Sequence, residues 1–96
     1  MHHALVNSEA KIGFNCIINS KALIEHDVCI GNHCHVSTGS IINGGCNIGS
    51  NCFVGSHATL HQGLSVTENI QIAAHSLVSK SLTQEGIYKG VPVDAQ

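Results

Sequence analysis

Every sixth residue of this chain is aliphatic. The column runs Val6, Ile12, Ile18, Ile24, Ile30, Val36, Ile42, Ile48, Val54, Leu60, Val66, Ile72 and Val78, thirteen positions without a break, and stops at Gln84. A helix of about 3.6 residues per turn would smear a period of six around its circumference. β-Branched residues suit strands instead. Two places earlier the residues are small: Ala4, Ala10, Cys16, Ala22, Val28, Cys34, Ser40, Cys46, Cys52 and Ala58, widening to Leu64 and Ile70. Side chains alternate faces along a strand, so both columns point inward and the residue between them points out. The pattern predicts three residues of strand and three of turn as one side of a three-sided prism.

The third residue after each aliphatic position marks the corner of the turn. It runs Glu9, Asn15, Lys21, Asp27, His33, Gly39, Gly45, Asn51, His57, Gly63, Asn69, His75 and Ser81, and ten of the thirteen are Gly, Asn, Asp or His. Those residue types are enriched at positive φ. The outward positions sort into three faces. One carries Leu5, Leu23, Ile41, Thr59 and Leu77; the next carries Lys11, Cys29, Asn47, Ser65 and Thr83; the third carries Ile17, His35, Phe53 and Gln71. The first face is apolar inside and out, which predicts that something covers it. A sticky face meeting a different, mixed face is a heterologous contact that closes into a ring, and a homotrimer is the natural result. The open edges of the first coil predict a further association, a dimer of trimers.

Composition narrows the chemistry. The chain has 96 residues, four lysines, no arginine, six acidic residues and a formal charge of −2, with no basic run. That argues against nucleic acid as a partner. No apolar run is long enough to span a membrane, and Met1-His2-His3 does not read as a signal peptide. Residues 1–3 form a short lead in which His2 and His3, compatible with a tag scar, receive no role. Eight histidines and five cysteines raise the question of metal. Four of the cysteines, however, occupy the small inward column and read as core filler, with no C-x-x-C pair among them. Neither a disulfide nor a metal centre is expected, and reduced thiols favour a cytoplasmic protein. His33, His57 and His75 fall at corners, where they read as turn residues, and His61 reads as ordinary surface.

The repeat resembles the hexapeptide-repeat left-handed β-helix over residues 4–80. This implies an all-β fold, a single-stranded left-handed parallel β-helix of about four triangular coils, with residues 81–96 as a C-terminal tail or cap. Residues eighteen apart then stack about 4.8 Å from coil to coil. The stretch from Cys16 to Ser37 is similar to a segment of sialic-acid and bacillosamine-pathway sugar acetyltransferases that reads C-I-I-N…I-x-H-(D/E)-x-x-I-G…H-(I/V/L)-S. Phe53-Val-Gly, Gln62-Gly, Ile72-Ala-Ala-His-Ser-Leu-Val-Ser-Lys and Gly90-Val-Pro resemble the closing coils of the same enzymes.

The resemblance implies an acyltransferase that moves an acetyl group from acetyl-CoA to the amine or hydroxyl of a small, amino-sugar-like acceptor at a subunit interface. His26 is then the general base, since an imidazole is suited to accept the nucleophile's proton. Asp27 orients and stabilises it. His35 lies near the acetyl group, where it can bond the thioester or the developing oxyanion. Asn19 matches an asparagine on the acceptor side. Gly55, Ala73 and Ala74 match small residues that let the pantetheine come close. Lys80 and Lys89 can meet the phosphates of CoA but read equally well as solvated surface.

Three features depart from the family. The usual G-N-P-A ending appears as Gly90-Val91-Pro92-Val93, histidines stand at 57 and 75 where relatives carry glycine, and the chain begins at the helix itself, without a nucleotide-sugar-binding domain. Two other readings follow: a non-catalytic β-helix serving as an assembly or binding module, and a γ-carbonic-anhydrase-like zinc enzyme in which His57 and His61 supply part of the ligand set.

Overall fold

The structure, a computed structural model, describes residues 4–93. His2 and His3 lie outside the described residues. Fourteen short strands and no helix are found among those described. They stack into three parallel sheets, one for each side of the expected left-handed β-helix. Face A holds β1 (Leu5–Val6), β4 (Leu23–Ile24), β7 (Ile41–Ile42), β10 (Thr59–Leu60) and β13 (Leu77–Val78). Face B holds β2 (Lys11–Ile12), β5 (Cys29–Ile30), β8 (Asn47–Ile48) and β11 (Ser65–Val66). Face C holds β3 (Ile17–Ile18), β6 (His35–Val36), β9 (Phe53–Val54), β12 (Ile70–Ile72) and β14 (Gly86–Tyr88).

Leu5 pairs with Leu23 and Lys11 with Cys29, the eighteen-residue register that the hexads require. The inward column is the core: Ile24, Val36, Ile42, Leu60, Ile72 and Val78 are fully buried. The small column does more than fill space. The thiols of Cys16, Cys34, Cys46 and Cys52 donate to carbonyls of the next coil, those of Gly31, Gly49, His61 and Thr67, at 3.1, 3.1, 3.0 and 3.2 Å. Ser40 Oγ lies 2.8 Å from both the Ser37 and the Gly55 carbonyl. A buried turn carbonyl therefore finds a donor in the column that the repeat keeps small. All five cysteines are free.

The corner column holds from Glu9 to His75. All twelve of these residues have φ between 59° and 75°, including Glu9 and Lys21, whose types are not favoured there. The corner N–H groups are bonded down the stack, as in His57 N to Thr38 O at 2.9 Å and His75 N to Ser56 O at 2.8 Å. Position in the coil therefore overrides residue type.

The number of turns is about five, not the four that the hexad column suggests. The column does not end at Gln84; it shifts. Leu82 bridges to Val66 and Tyr88 pairs with Ile72, each sixteen residues apart, and both side chains are buried. The turn after Val78 is two residues shorter than the others, so the inward phase moves from 84 to 82 and resumes at 88. Ser81 consequently leaves the corner column and does not take a positive φ. Beyond β14, the Leu77 amide donates to Gly90 O and the Val93 amide to Leu77 O, which covers the upper edge of face A.

Candidate functional site

The turn from face A to face B is the most polar corner of the prism. Its stacked residues are Glu25, His26 and Asp27 on one coil, Asn43, Gly44 and Gly45 on the next, and Gln62 and Gly63 above them. Together they line a depression of about 430 Å³. His26 and Asp27 are held there by the helical repeat: Asp27 is the left-handed corner residue, at φ 61°, and His26 precedes it. That turn presents both side chains outward, 66% and 64% exposed. His26 Nδ1 lies 3.2 Å from Asp27 Oδ2. With the Nδ1 proton donated to the carboxylate, Nε2 carries the free lone pair and faces the depression as a base.

Gly44 packs against this imidazole. A Cβ at Gly44 would sit 3.1 Å from His26 Cε1 and 3.4 Å from Nε2, so only glycine leaves the ring its place without adjustment. Among the described residues the Gly44 N–H has no acceptor. Gly44 was not singled out in the sequence. The doublet Gly44-Gly45, one coil above His26-Asp27, was the available signal, since a corner needs only its second residue to be glycine-like.

A second cluster lies on face C. Asn19 Nδ2 is 2.8 Å from His35 Nε2. With the amide as donor, Nε2 accepts and the proton resides on Nδ1. The ring is further held edge-on against Phe53, centroids 5.2 Å apart. Asn19 and His35 are thus brought together, one coil apart. His26 and Asp27 are not brought to them within one chain, because they occupy a different corner of the prism.

Gly55, Ala73 and Ala74 stack along the turn from face C to face A, above Asn19. Gly55 is buried, and a Cβ there would lie 2.5 Å from the Ala74 nitrogen and 2.7 Å from the Ile72 oxygen. Its smallness is required by coil packing. Ala74 is the exposed small residue of the three. On the same corner His57 and His75 stack nearly parallel, centroids 5.1 Å apart. His57 and His61 stand at opposite ends of β10, so one chain does not gather them into a shared ligand set. No group of three or more His, Cys, Asp or Glu side chains placed to hold a metal ion occurs among the described residues.

The exposed large apolar side chains are Leu5 and Val6 on the first strand of face A, Ile17, Phe53 and Ile87 on face C, Phe14 in the turn before β3 and Val91 beyond β14. Leu23, Ile41 and Leu77 of face A are half-buried. Face B carries Lys11, Cys29, Asn47 and Ser65 into solvent. No helix is long and apolar enough to cross a membrane.

No protein-family model matches the chain, and no curated protein sequence does. Solved structures do. Perosamine N-acetyltransferase from Caulobacter crescentus, determined with CoA and GDP-perosamine, aligns at TM-score 0.93 and 27% identity over 97% of this chain and 44% of that one. The acetyltransferase domain of PglB from Neisseria gonorrhoeae, determined with acetyl coenzyme A, aligns at 0.81 and 20% identity, over 97% of this chain and 54% of that one. A maltose O-acetyltransferase from Clostridium difficile shares the fold at 0.60 and 16% identity, over 98% and 66%. This chain therefore spans about half the length of these first two acetyltransferases. The likeness to hexapeptide-repeat acetyltransferases inferred from the repeat and its motifs is borne out.

Proposed function

We propose that this chain is the catalytic β-helix of a CoA-dependent acetyltransferase, with acetyl-CoA as cosubstrate and a small molecule as acceptor. The observation that carries this reading is the His26–Asp27 pair at 3.2 Å in an open depression, beside an unpaired Gly44 amide. The acceptor nitrogen or oxygen attacks the thioester carbonyl carbon, and His26 Nε2 takes its proton. Asp27 holds the Nδ1 proton and steadies the imidazolium. Charge develops on the carbonyl oxygen, where an amide such as that of Gly44 and the Nδ1–H of His35 are suitable donors. The C–S bond then breaks, and the imidazolium returns a proton to the thiolate of CoA.

In this reading the active unit is a homotrimer. Three prisms meet with the corner between faces C and A toward a common axis. Triangular corners meeting this way leave a wedge-shaped cleft between face A of one subunit and face C of the next. The exposed apolar side chains on those two faces support the arrangement. It sets His26, at the outer rim of face A, across the cleft from the neighbour's face C, which carries His35. Acetyl-CoA lies in this cleft, with Ala73 and Ala74 beside it. A thiol-release assay with acetyl-CoA and a panel of amino sugars tests the reading. His26→Ala is expected to abolish turnover while leaving CoA binding intact. Unchanged turnover in that variant, or a monomer in solution, overturns it.

A further inference from the structure

The depression around His26 contains two carboxylates and no cationic side chain among its lining residues. Glu25 and Asp27 flank the imidazole. Within one chain, Lys11 points out from face B, Lys21 marks the corner between faces C and A and Lys89 follows β14 on face C, so none of these three lines the depression. Lys80 shares the corner with His26 but lies three coils away, about 14 Å along the stack. Asp27 is occupied with His26. Glu25 is differently placed: Asn7 Nδ2 donates to its Oε1 at 2.8 Å from the coil below. That bond anchors the carboxylate of a residue that lines the depression, and Oε2 has no partner among the described residues. A half-buried, anchored carboxylate beside a base is a counter-ion for a cation that must sit within reach of that base.

Resting on the acetyltransferase reading, we propose that Glu25 is a specificity-determining residue that binds the acceptor as its ammonium ion and makes the site selective for amines over hydroxyls. The fold itself leaves this choice open, since it occurs in both N- and O-acetyltransferases. Primary amines are largely protonated near neutrality, so the acceptor arrives as a cation and is held by Glu25 Oε2. It sheds one proton to water to become the nucleophile. As the C–N bond forms, His26 takes a second proton, which it returns to the departing CoA thiolate. One proton is released overall. A hydroxyl acceptor brings no charge for Glu25 to hold and leaves the carboxylate to water.

The test reads binding without turnover, so that it stands apart from acyl transfer. Titrate the intact oligomer with D-glucosamine and with D-glucose, and follow the His26 ring proton signals by NMR. Glucosamine is expected to bind about fivefold more tightly than glucose, with the preference shrinking as salt is raised. Glu25→Gln keeps the acceptor oxygen for Asn7 and the side-chain shape, and is expected to remove the preference without changing glucose binding. Asn7→Ala, which frees the carboxylate, is expected to weaken the preference in part. Equal binding of the two sugars by the unmodified protein, no response at His26 to either, or a preference that survives Glu25→Gln overturns the proposal. Loss of CoA release in all acceptors with the ammonium preference intact would instead overturn the acetyltransferase reading alone.

Discussion

The side-chain amide of Asn19 reaches one coil up to the ring of His35, 2.8 Å from Nε2. The contact fixes which nitrogen carries the proton. An amide donor on Nε2 leaves Nδ1 as the N–H, and Phe53 keeps the ring from turning away. Asn19, read from the sequence as an acceptor-side residue, is in this structure a partner of His35.

Asn19→Asp should invert that arrangement. A carboxylate accepts rather than donates, so the proton moves to Nε2 and Nδ1 loses its donor. Nitrogen chemical shifts of His35 should report the exchanged tautomer. The rate of acetyl transfer should fall about a hundredfold, the cost of one oriented donor at a developing oxyanion.

Asp27→Asn keeps a residue tolerant of the left-handed corner, where φ is 61°, and removes the charge beside His26. Folding should be nearly unaffected in thermal melts. Because the pair is more than half exposed, the loss in kcat should be modest, about tenfold. His26→Ala should cost far more.

The thiols should divide by face. Cys29 points into solvent and should react with an aromatic disulfide reagent in the native state; Cys34, Cys46 and Cys52 are buried and should react only on unfolding. Cys46, through burial, is held above the ordinary thiol value of 9.0. A raised folded-state value means that the native state keeps protons which the unfolded chain gives up. This stabilisation is complete below pH 9.0 and is lost as the pH rises beyond it. The urea midpoint should therefore fall above that pH, and less so in Cys46→Ala once its lower starting stability is subtracted.

Backbone changes at two corners should have opposite signs. Lys21 is exposed and sits at φ 60°, so Lys21→Gly should relieve strain and stabilise the chain by about 1 kcal/mol. Gly55 has no room for a Cβ against the Ala74 backbone, 2.5 Å away. Gly55→Ala should destabilise by about 2 kcal/mol or more, because the obstacle is backbone that cannot rotate aside. Denaturant unfolding of both variants checks the pair.

Much of this architecture was readable along the chain. The hexad column, the small column before it and the corner column each repeat at positions where one coil imposes one environment. Inward means aliphatic, the step before it means small, and the corner means tolerant of positive φ. Glu9 and Lys21 show that even a disfavoured residue follows once its neighbours set the coil. The end of the helix was not readable, because a turn shortened by two residues moves the inward phase from 84 to 82. A strict count of six then finds Gln84 where Leu82 has already taken the core position.

What the sequence determined by itself is the repeating part: the β-helix, its inside and outside, and the outward placement of His26, Asp27 and His35. Periodicity suffices for this, since burial depends only on a residue's place within its own coil. What the tertiary structure decided is every relation between coils. It joined Asn19 to His35 and Asn7 to Glu25, placed Gly44 against the His26 ring, and gave the buried thiols of Cys34 and Cys52 their carbonyl partners. Those contacts join residues 15 to 18 apart, and they form only when the stacked coils bring outward and turn atoms within about 3 Å of one another.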